Sequence, residues 1–322
     1  MYLGIEIGGT KLQLGVGPGD GTLAGLWRGG VDLAAGGEGI RRQIVAAVPD
    51  LLATAGLDRS QVRGLGIGFG GPVDDATRSV LKSHQVGGWE GFPLADWAEE
   101  ALGLPTALGN DADCAALAEA LFGAGKGLSP VFYMTIGSGI GGGLVVNGEV
   151  YRGAGRGAVE VGHLRLFNET FGGEDWNWTT LEDEASGWSI ARRIRERAVN
   201  DTVLLTLVGG DPEKITTAII AQAAASGNEL ALWGIRHATS CLADALCQVI
   251  VLLCPRRIVI GGGVSLMGQD LLFKPLCQRV AERVFRPFAD CYEIVPAALG
   301  EEVVVHGALR LAATRSHLAP GH

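Results

Sequence analysis

Short apolar runs alternate along the chain with longer stretches in which apolar residues recur at helical spacing. The short runs predict β-strands at residues 2–7, 12–16, 62–69, 106–109, 131–136, 144–146, 257–260 and 293–295. The helical spacing predicts helices at residues 38–55, 94–102, 181–199, 215–225, 229–253, 271–285 and 304–313. Because strands and helices alternate, we predict an α/β fold.

A glycine-rich turn follows a predicted strand at three places in the chain. These turns are residues 8–11 (GGTK), 137–143 (GSGIGGG) and 261–263 (GGG). Glycine lacks a Cβ atom, so backbone N–H groups in such turns can approach an anion closely. No GxxxxGK[ST] P-loop occurs, and the first two turns lead into strands rather than into the helix that follows a GxGxxG dinucleotide motif. Two hairpins of this kind could hold a polyphosphate group between them, and the third turn offers a flat surface for a planar group.

A polar step, Asn110-Asp111-Ala112-Asp113, separates a predicted strand from a run rich in Ala and Leu. Asn and Asp suit a helix N-terminus because their side chains accept hydrogen bonds from the first free N–H groups. Ligands of α/β proteins bind at the carboxyl ends of strands, where an acid can touch a substrate. Taken alone, these residues leave both interpretations open, a helix cap and a substrate contact.

Further polar residues cluster downstream, in the sequence AVEVGHLRL. Glu160 and His163 are three residues apart, which fits one side of a helical turn, but the neighbouring apolar residues also fit an extended chain. We expect residues 165–180 to form a loop with Trp176 and Trp178, and Glu182 to lie in the first turn of the next helix.

Length and composition narrow the class of protein. With 322 residues, the chain can form two domains and a large core. Its 26 basic and 35 acidic residues give a net charge of −9, and no basic run indicates a nucleic-acid partner. The six cysteines form no CxxC pair, which is typical of free thiols in a reducing cytoplasm. We find no uninterrupted apolar segment of membrane-spanning length, and therefore expect a cytoplasmic protein without a membrane partner.

The motifs taken together, in this order, resemble those of the ROK family (repressors, open reading frames and sugar kinases) of the actin-like ATPase superfamily. The matching segments are GIEIGGTK at residues 4–11, GWEGFPL at 88–94, NDAD at 110–113, TIGSGIGGG at 135–143, VIGGGV at 259–264 and ALGEEVVVHGALRLA at 298–312. The resemblance covers nearly the whole chain.

The resemblance implies two actin-like (ribonuclease H-like) domains with a central cleft. We expect an N-terminal domain at residues 1–110 and a C-terminal domain at 111–303, with a closing helix at about 304–322 that returns to the N-terminal domain. It also suggests a homodimer.

The implied activity is transfer of the γ-phosphoryl group of ATP, with Mg²⁺, to a hydroxyl of a hexose or N-acetylhexosamine. By position, Asp111 matches the catalytic base, and Asp113 is left as the helix cap or a partner of the helix dipole. The residues that match sugar ligands are Asn110, Glu160, His163 and Glu182. Those that match phosphate or adenosine ligands are Gly9, Thr10, Lys11, Ser138, Gly139, Gly262 and Gly263. Glu6 matches an acid near the metal, which it would contact through water.

One departure concerns zinc, because many family members have three cysteines between the residues matched by His163 and Glu182. This chain has none there, and zinc needs about four ligands within reach, so we predict no zinc site. His163 is then free to contact sugar, and the loop is ordered by its tryptophans or by substrate. Gln85 stands where the family usually has Asn, which leaves the sugar open.

Two alternatives remain. Zinc-free polyphosphate glucokinases also resemble this chain around residues 110–127, although the segment at 259–264 favours a nucleotide donor. A non-catalytic sugar sensor is the other. Family repressors carry an N-terminal helix-turn-helix, whereas here the first phosphate strand starts at Tyr2.

Overall fold

The structure, a computed structural model, describes residues 1–83, 85–155, 157–167 and 178–318. The strands are β1 Tyr2–Ile7, β2 Lys11–Gly17, β3 Gly25–Gly30, β4 Leu65–Phe69, β5 Val73–Asp74, β6 Ser79–Val80, β7 Thr106–Asn110, β8 Val131–Ile136, β9 Ile140–Val146, β10 Glu149–Val150, β11 Arg165–Phe167, β12 Trp178–Thr180, β13 Arg257–Gly261 and β14 Ile294–Pro296. The α-helices are α1 Gly36–Thr54, α2 Leu94–Leu102, α3 Asp111–Leu121, α4 Leu181–Ala185, α5 Gly187–Arg195, α6 Thr202–Leu207, α7 Thr217–Ala225, α8 Glu229–Leu253, α9 Lys274–Arg283 and α10 Val303–Leu318.

The chain divides into two compact units. The first contains Met1–Ser129, Gly143–Ala158 and Ala298–His322, and the second contains Pro130–Gly142 and Val159–Ala297. Two five-stranded sheets have equivalent orders, β3-β2-β1-β4-β7 and β10-β9-β8-β13-β14. In the first, β2 is antiparallel to β1 and β3, whereas β1, β4 and β7 run parallel. In the second, β8, β13 and β14 run parallel. The predicted α/β class is confirmed.

Helix α10 packs closely on the first sheet because the facing strands carry glycine at the points of contact. A Cβ atom at Gly66 of β4 would lie 1.9 Å from the carbonyl oxygen of Ala308, and one at Gly4 of β1 would lie 2.9 Å from Val305 O. Val305 and Ala308 are fully buried there. The first unit therefore contains the closing helix α10. Its backbone packs closely against the glycines of the sheet, and its apolar side chains are buried there.

Helix α8 lies in the second unit, with residues such as Leu242, Leu246 and Ile250 buried. By length and composition it could cross a membrane, with a mean hydropathy of 1.3, although the sequence led us to expect no such segment. Half of its most apolar window is buried inside the folded chain, which is typical of a core helix.

Four expectations differ from the structure. Helix α3 groups with the first unit, so the predicted boundary after residue 110 does not match the observed division. The predicted helix 181–199 breaks at Ser186, whose backbone is extended and whose side chain caps α5. Residues 165–180 include the paired strands β11 and β12, and are not all loop. Strand β3 was not predicted, because its sequence GLWRGG lacks an alternating apolar pattern.

Candidate functional site

The first set of candidate residues lies at the carboxyl edge of the sheet in the first unit. Strands β1, β4 and β7 are parallel and in register there, with Ile7 opposite Phe69 and Phe69 opposite Asn110. The backbone N–H of Gly70 donates to Ile7 O at 2.8 Å. The first glycine turn and the Asn110–Asp111 step therefore follow the strands on either side of β4, at the sheet edge where α/β proteins bind ligands.

The first glycine turn joins β1 to β2 and is closed by a hydrogen bond from Gly8 N to Lys11 O, 3.0 Å. The side chain of Gln85 lies on Gly9, where a Cβ atom would come within 1.4 Å of its Oε1. Thr10 is exposed. A side chain at position 9 would displace that of Gln85, and Gln85 is a neighbour of this turn that spacing along the sequence did not reveal.

Glu6 is a buried acid beside this turn, 5% exposed. Its Oε1 lies 2.9 Å from Lys11 Nζ, which also donates to Glu301 O at 3.3 Å. Burial raises the pKa of Glu6 to about 7, the ion pair with Lys11 opposes this rise, and the negative charge of Asp111 adds to it. Its Oε2 is buried and has no hydrogen-bond partner among the described residues. An unsatisfied carboxylate oxygen near a second acid fits a hydrated Mg²⁺ ion.

Asn110 is the N-cap of α3. Its Oδ1 accepts from the N–H groups of Ala112 (2.8 Å) and Asp113 (3.3 Å), and its Nδ2 donates to Gly71 O (3.0 Å). Asp113 is therefore not the cap; it lies in the first turn, buried, with its carboxylate 2.6 Å from Arg152 Nη1. Asp113 is thus committed to an ion pair. The N-cap is the residue just before the helix whose backbone is still extended, and here that residue is Asn110.

Asp111, the predicted base, begins α3 and is partly exposed. Its Oδ1 accepts from Ala112 N at 2.8 Å. Its Oδ2 lies over Gly70, at 3.5 Å from where a Cβ atom would stand. The carboxylate is thereby held at the strand edge, where its negative charge adds to the rise in the pKa of Glu6.

In the second unit, two glycine turns leave adjacent parallel strands. Thr135 of β8 pairs with Gly261 of β13, so Ser138 and Gly139 follow one strand and Gly262 and Gly263 follow the next. Gly262 adopts φ 83°, and a Cβ atom there would lie 2.6 Å from the backbone of Ile136, which leaves no room for a side chain. Ser138 is exposed, and a Cβ atom at Gly263 would meet nothing within 4 Å. Both turns are therefore at one sheet edge.

Glu160 precedes a short 3₁₀ turn, Val161–His163, and His163 is its last residue, which resolves the open question about their geometry. His163 N donates to Glu160 O at 3.0 Å, and both side chains are exposed. Val159 has φ 65°, a costly conformation for a β-branched residue and one that is concentrated at functional sites.

The turn Val161–His163 is attached to the second glycine turn. A Cβ atom at Gly162 would lie 2.2 Å from Ile140 O, and Ile140 N donates to Glu182 Oε2 at 2.7 Å. Glu182 lies in the first turn of α4, as predicted. The structure thus brings the turn Val161–His163 and the carboxylate of Glu182 to one residue, Ile140, that sequence reasoning did not single out.

The segment before Glu182 is partly described. Trp176 lies outside the described residues. Trp178 begins β12 and packs edge-to-face on Phe167 of β11, with ring centroids 6.1 Å apart and Arg165 over its ring. A tryptophan therefore packs at the described end of this segment, and the absence of a zinc site stays a prediction.

The chain is similar to known sugar kinases and to a regulator over almost its full length. The sequence profile of the ROK family matches residues 2–315. A glucokinase of Halalkalibacterium halodurans is 32% identical over 310 residues, which cover 95% of this chain and 93% of that protein. A ROK family glucokinase of Streptomyces griseus, solved with glucose and AMPPNP, is 31% identical, with a TM-score of 0.79 and coverage of 97% and 99%.

A ROK family transcriptional regulator, a homologue of the E. coli MLC protein, is 25% identical, with a TM-score of 0.81 and coverage of 96% of this chain and 77% of the regulator. These likenesses confirm the predicted actin-like fold class. The family shares its fold between kinases and regulators, so the fold alone does not assign an activity. By sequence profile and by identity over nearly its whole length, the chain belongs to the ROK family.

Proposed function

We propose that this carbohydrate kinase transfers the γ-phosphoryl group of ATP to a hydroxyl of a hexose or N-acetylhexosamine, with Asp111 as general base. The observation that carries the proposal is the position of Asp111 at the strand edge of the first unit, where only β4 separates β7 from β1, the strand that leads into the Gly8–Gly9 turn. An acid at that edge can accept a hydroxyl proton while the turn receives phosphate oxygens.

The chemistry suits a carboxylate base. Phosphoryl transfer has a loose transition state, so catalysis consists mainly of positioning reactants and neutralising charge. The sugar hydroxyl loses its proton late, and an ionised, oriented carboxylate suffices. The contact of Oδ1 with Ala112 N fixes the orientation of Asp111, whose carboxylate would accept the proton of the sugar hydroxyl.

Donor binding falls to the glycine turns. Gly9, Thr10, Ser138 and Gly139 would bind phosphate oxygens through N–H and hydroxyl groups, and Gly262 and Gly263 would lie against the adenosine. Mg²⁺ would neutralise the donor phosphates, with Glu6 reaching it through water. Lys11, paired with Glu6, keeps a positive charge beside the same turn.

Sugar binding falls to carboxylate and imidazole groups. Glu160, Glu182 and His163 can accept hydrogen bonds from sugar hydroxyls. Asn110 is proposed as a further sugar ligand, although its Oδ1 already accepts two backbone N–H groups. Among the four, we therefore expect the two glutamates and His163 to contribute most to affinity.

A coupled assay tests the proposal. Purified protein is supplied with Mg²⁺, ATP and a panel of hexoses and N-acetylhexosamines, and the same panel is repeated with polyphosphate in place of ATP. We expect sugar-dependent ADP formation with at least one member. If the sugars are phosphorylated with polyphosphate and not with ATP, the donor is polyphosphate and the proposal of ATP is wrong. Sugar binding in calorimetry without turnover from either donor would replace the kinase with a sensor.

A further inference from the structure

Glu184 is a buried acid in the second unit that the proposed reaction does not use. Its side chain is 7% exposed, and its Oε2 accepts from Arg193 Nη2 at 2.5 Å and Nη1 at 3.1 Å. The same oxygen lies 2.6 Å from His237 Nε2, and Thr179 also hydrogen-bonds to this side chain. One carboxylate therefore joins four elements, α4, α5, α8 and β12.

The ionised form of Glu184 is the form that these contacts favour. Burial opposes ionisation, but the hydrogen bond with His237 and the positive charge of Arg193 outweigh it, so the pKa lies below its ordinary value. Removing one member of a buried, hydrogen-bonded charge cluster leaves its partners unsatisfied and weakens the geometry they define.

Helix α4 has only five residues, and Glu182 and Glu184 lie on opposite sides of it. Residues two apart in a helix are separated by roughly 200° around its axis. Glu184 therefore holds one side of α4 against α8, while Glu182 on the other side reaches Ile140 N. Because so short a helix has little stability of its own, its rotation depends on such anchors.

We propose that Glu184 is a positioning residue, whose carboxylate anchors α4 through Arg193 and His237 and so sets the location of the sugar ligand Glu182. This inference rests on the proposed function. It assigns a role to the buried cluster around Glu184, which lies two residues after the proposed sugar ligand Glu182. It predicts that loss of the Glu184 charge weakens sugar binding more than ATP binding.

The side chains around Glu184 could alternatively bind a metal ion. The ligand atoms of Glu184, His237 and Cys241 lie within 4.8 Å of one another. Arg193 already neutralises the carboxylate, however, and burial raises the pKa of Cys241 to about 12, with the charge of Glu184 adding to the rise. A guanidinium in contact with the ligand oxygen repels a second cation, so we assign the cluster to the ion pair.

The test is a double-mutant cycle with glucose as the probe. Wild type, Glu184→Gln, Glu182→Gln and the double variant are titrated with glucose in calorimetry and assayed with ATP. We expect Glu184→Gln to weaken glucose binding about tenfold, as for loss of a hydrogen bond to a charged group, with a change of under about threefold in KM for ATP. In the Glu182→Gln background the same substitution should have little further effect, because both act through one contact.

Two further variants keep the result interpretable. Arg193→Lys keeps the positive charge but loses the pair of hydrogen bonds from Nη1 and Nη2 to Glu184, and should therefore also weaken glucose binding. This variant serves as the test if Glu184→Gln proves too unstable to assay. Glu213→Gln, at an exposed pair with Arg195 in the same unit, is the matched control and should match wild type. Thermal denaturation is recorded for each.

Three outcomes would overturn the inference. Full additivity of Glu184→Gln and Glu182→Gln would mean that Glu184 does not act through Glu182. Unchanged glucose affinity in folded Glu184→Gln or Arg193→Lys protein would remove the positioning role while leaving the kinase proposal intact. Stoichiometric zinc in the purified protein that is lost in Cys241→Ser would make the cluster a metal site. Absence of both glucose binding and turnover in wild type would contradict the proposed function itself.

Discussion

The carboxylate of Glu182 accepts a hydrogen bond from the backbone N–H of Ile140 at 2.7 Å. It thereby connects helix α4, which follows the predicted sugar ligands, with the turn that is predicted to hold donor phosphates. The turn is also held by Gly187 N, which donates to Gly137 O at 2.7 Å. An acid bound to the N–H groups of an anion-binding turn is electrostatically favourable, so this contact needs no ligand to form.

Replacing Gly139 by alanine should disturb this contact directly. A Cβ atom there would lie 2.4 Å from Glu182 Oε2, so the carboxylate must move. We expect KM for the sugar to rise about tenfold or more, the effect of losing one charge-assisted hydrogen bond, and KM for ATP to rise as well, because Gly139 is itself proposed to bind donor phosphate. Steady-state kinetics measure it. Gly30→Ala is the control, because nothing lies within 4 Å of its Cβ position. Equal kinetics for the two variants would contradict the role given to Gly139.

Replacing Asp111 by asparagine should abolish sugar phosphorylation. The amide keeps the size of the side chain but cannot take the hydroxyl proton, and loss of a general base typically costs about 10²–10⁴ in rate. ATP binding, measured by calorimetry, should stay nearly unchanged. Asp32→Asn, at the exposed N-cap of a 3₁₀ turn in the same unit, is the control. Wild-type turnover in Asp111→Asn would show that another group is the base.

Replacing Asn110 by alanine should destabilise the first unit. The substitution removes the N-cap of α3 and the bond to Gly71 O, and cap removal typically costs about 1 kcal/mol. Chemical denaturation measures this cost. Asn110→Asp keeps the cap acceptor and should recover most of the stability. If alanine and aspartate at this position were equally stable, the cap would not be the structural role of Asn110.

His306 of α10 should make stability depend on pH. Burial lowers the pKa of this side chain below 6.5, and the charge of Glu119 only partly opposes that shift. The folded state therefore binds fewer protons than the unfolded state, so the contribution of His306 to stability is complete above about pH 6.5 and is lost as pH falls. The loss is at most about 1.4 kcal/mol per pH unit, the limit for uptake of one proton.

His306→Gln tests this pH dependence, because glutamine cannot take up the proton. Denaturation midpoints of wild type and variant are compared between about pH 7.5 and 5.5, a range that spans the ordinary histidine pKa. We expect the wild-type curve to fall more steeply than that of the variant. Parallel curves would mean that His306 titrates alike in the folded and unfolded states.

Local pattern was enough for most elements. Helices α2 and α8 and strand β8 begin and end at the predicted residues, because their apolar spacing and flanking residues act within a few positions. The glycine turns were also evident, because a run of glycines directly after an apolar strand is typical of a tight turn. The family could likewise be inferred from ordered motifs, and the profile match confirms it.

Tertiary structure decided which polar residue does what. The sequence admits Asp113 as a cap, but the cap is Asn110, because Asp113 meets Arg152 from a segment 39 positions away. The predicted helix 181–199 breaks because Gly187 N bonds to Gly137 O, a partner 50 positions earlier. The cluster around Glu184 joins residues far apart in the chain in the same way. Periodicity reports which face of an element is apolar, whereas the pairing of charges depends on how elements are brought together in the folded unit.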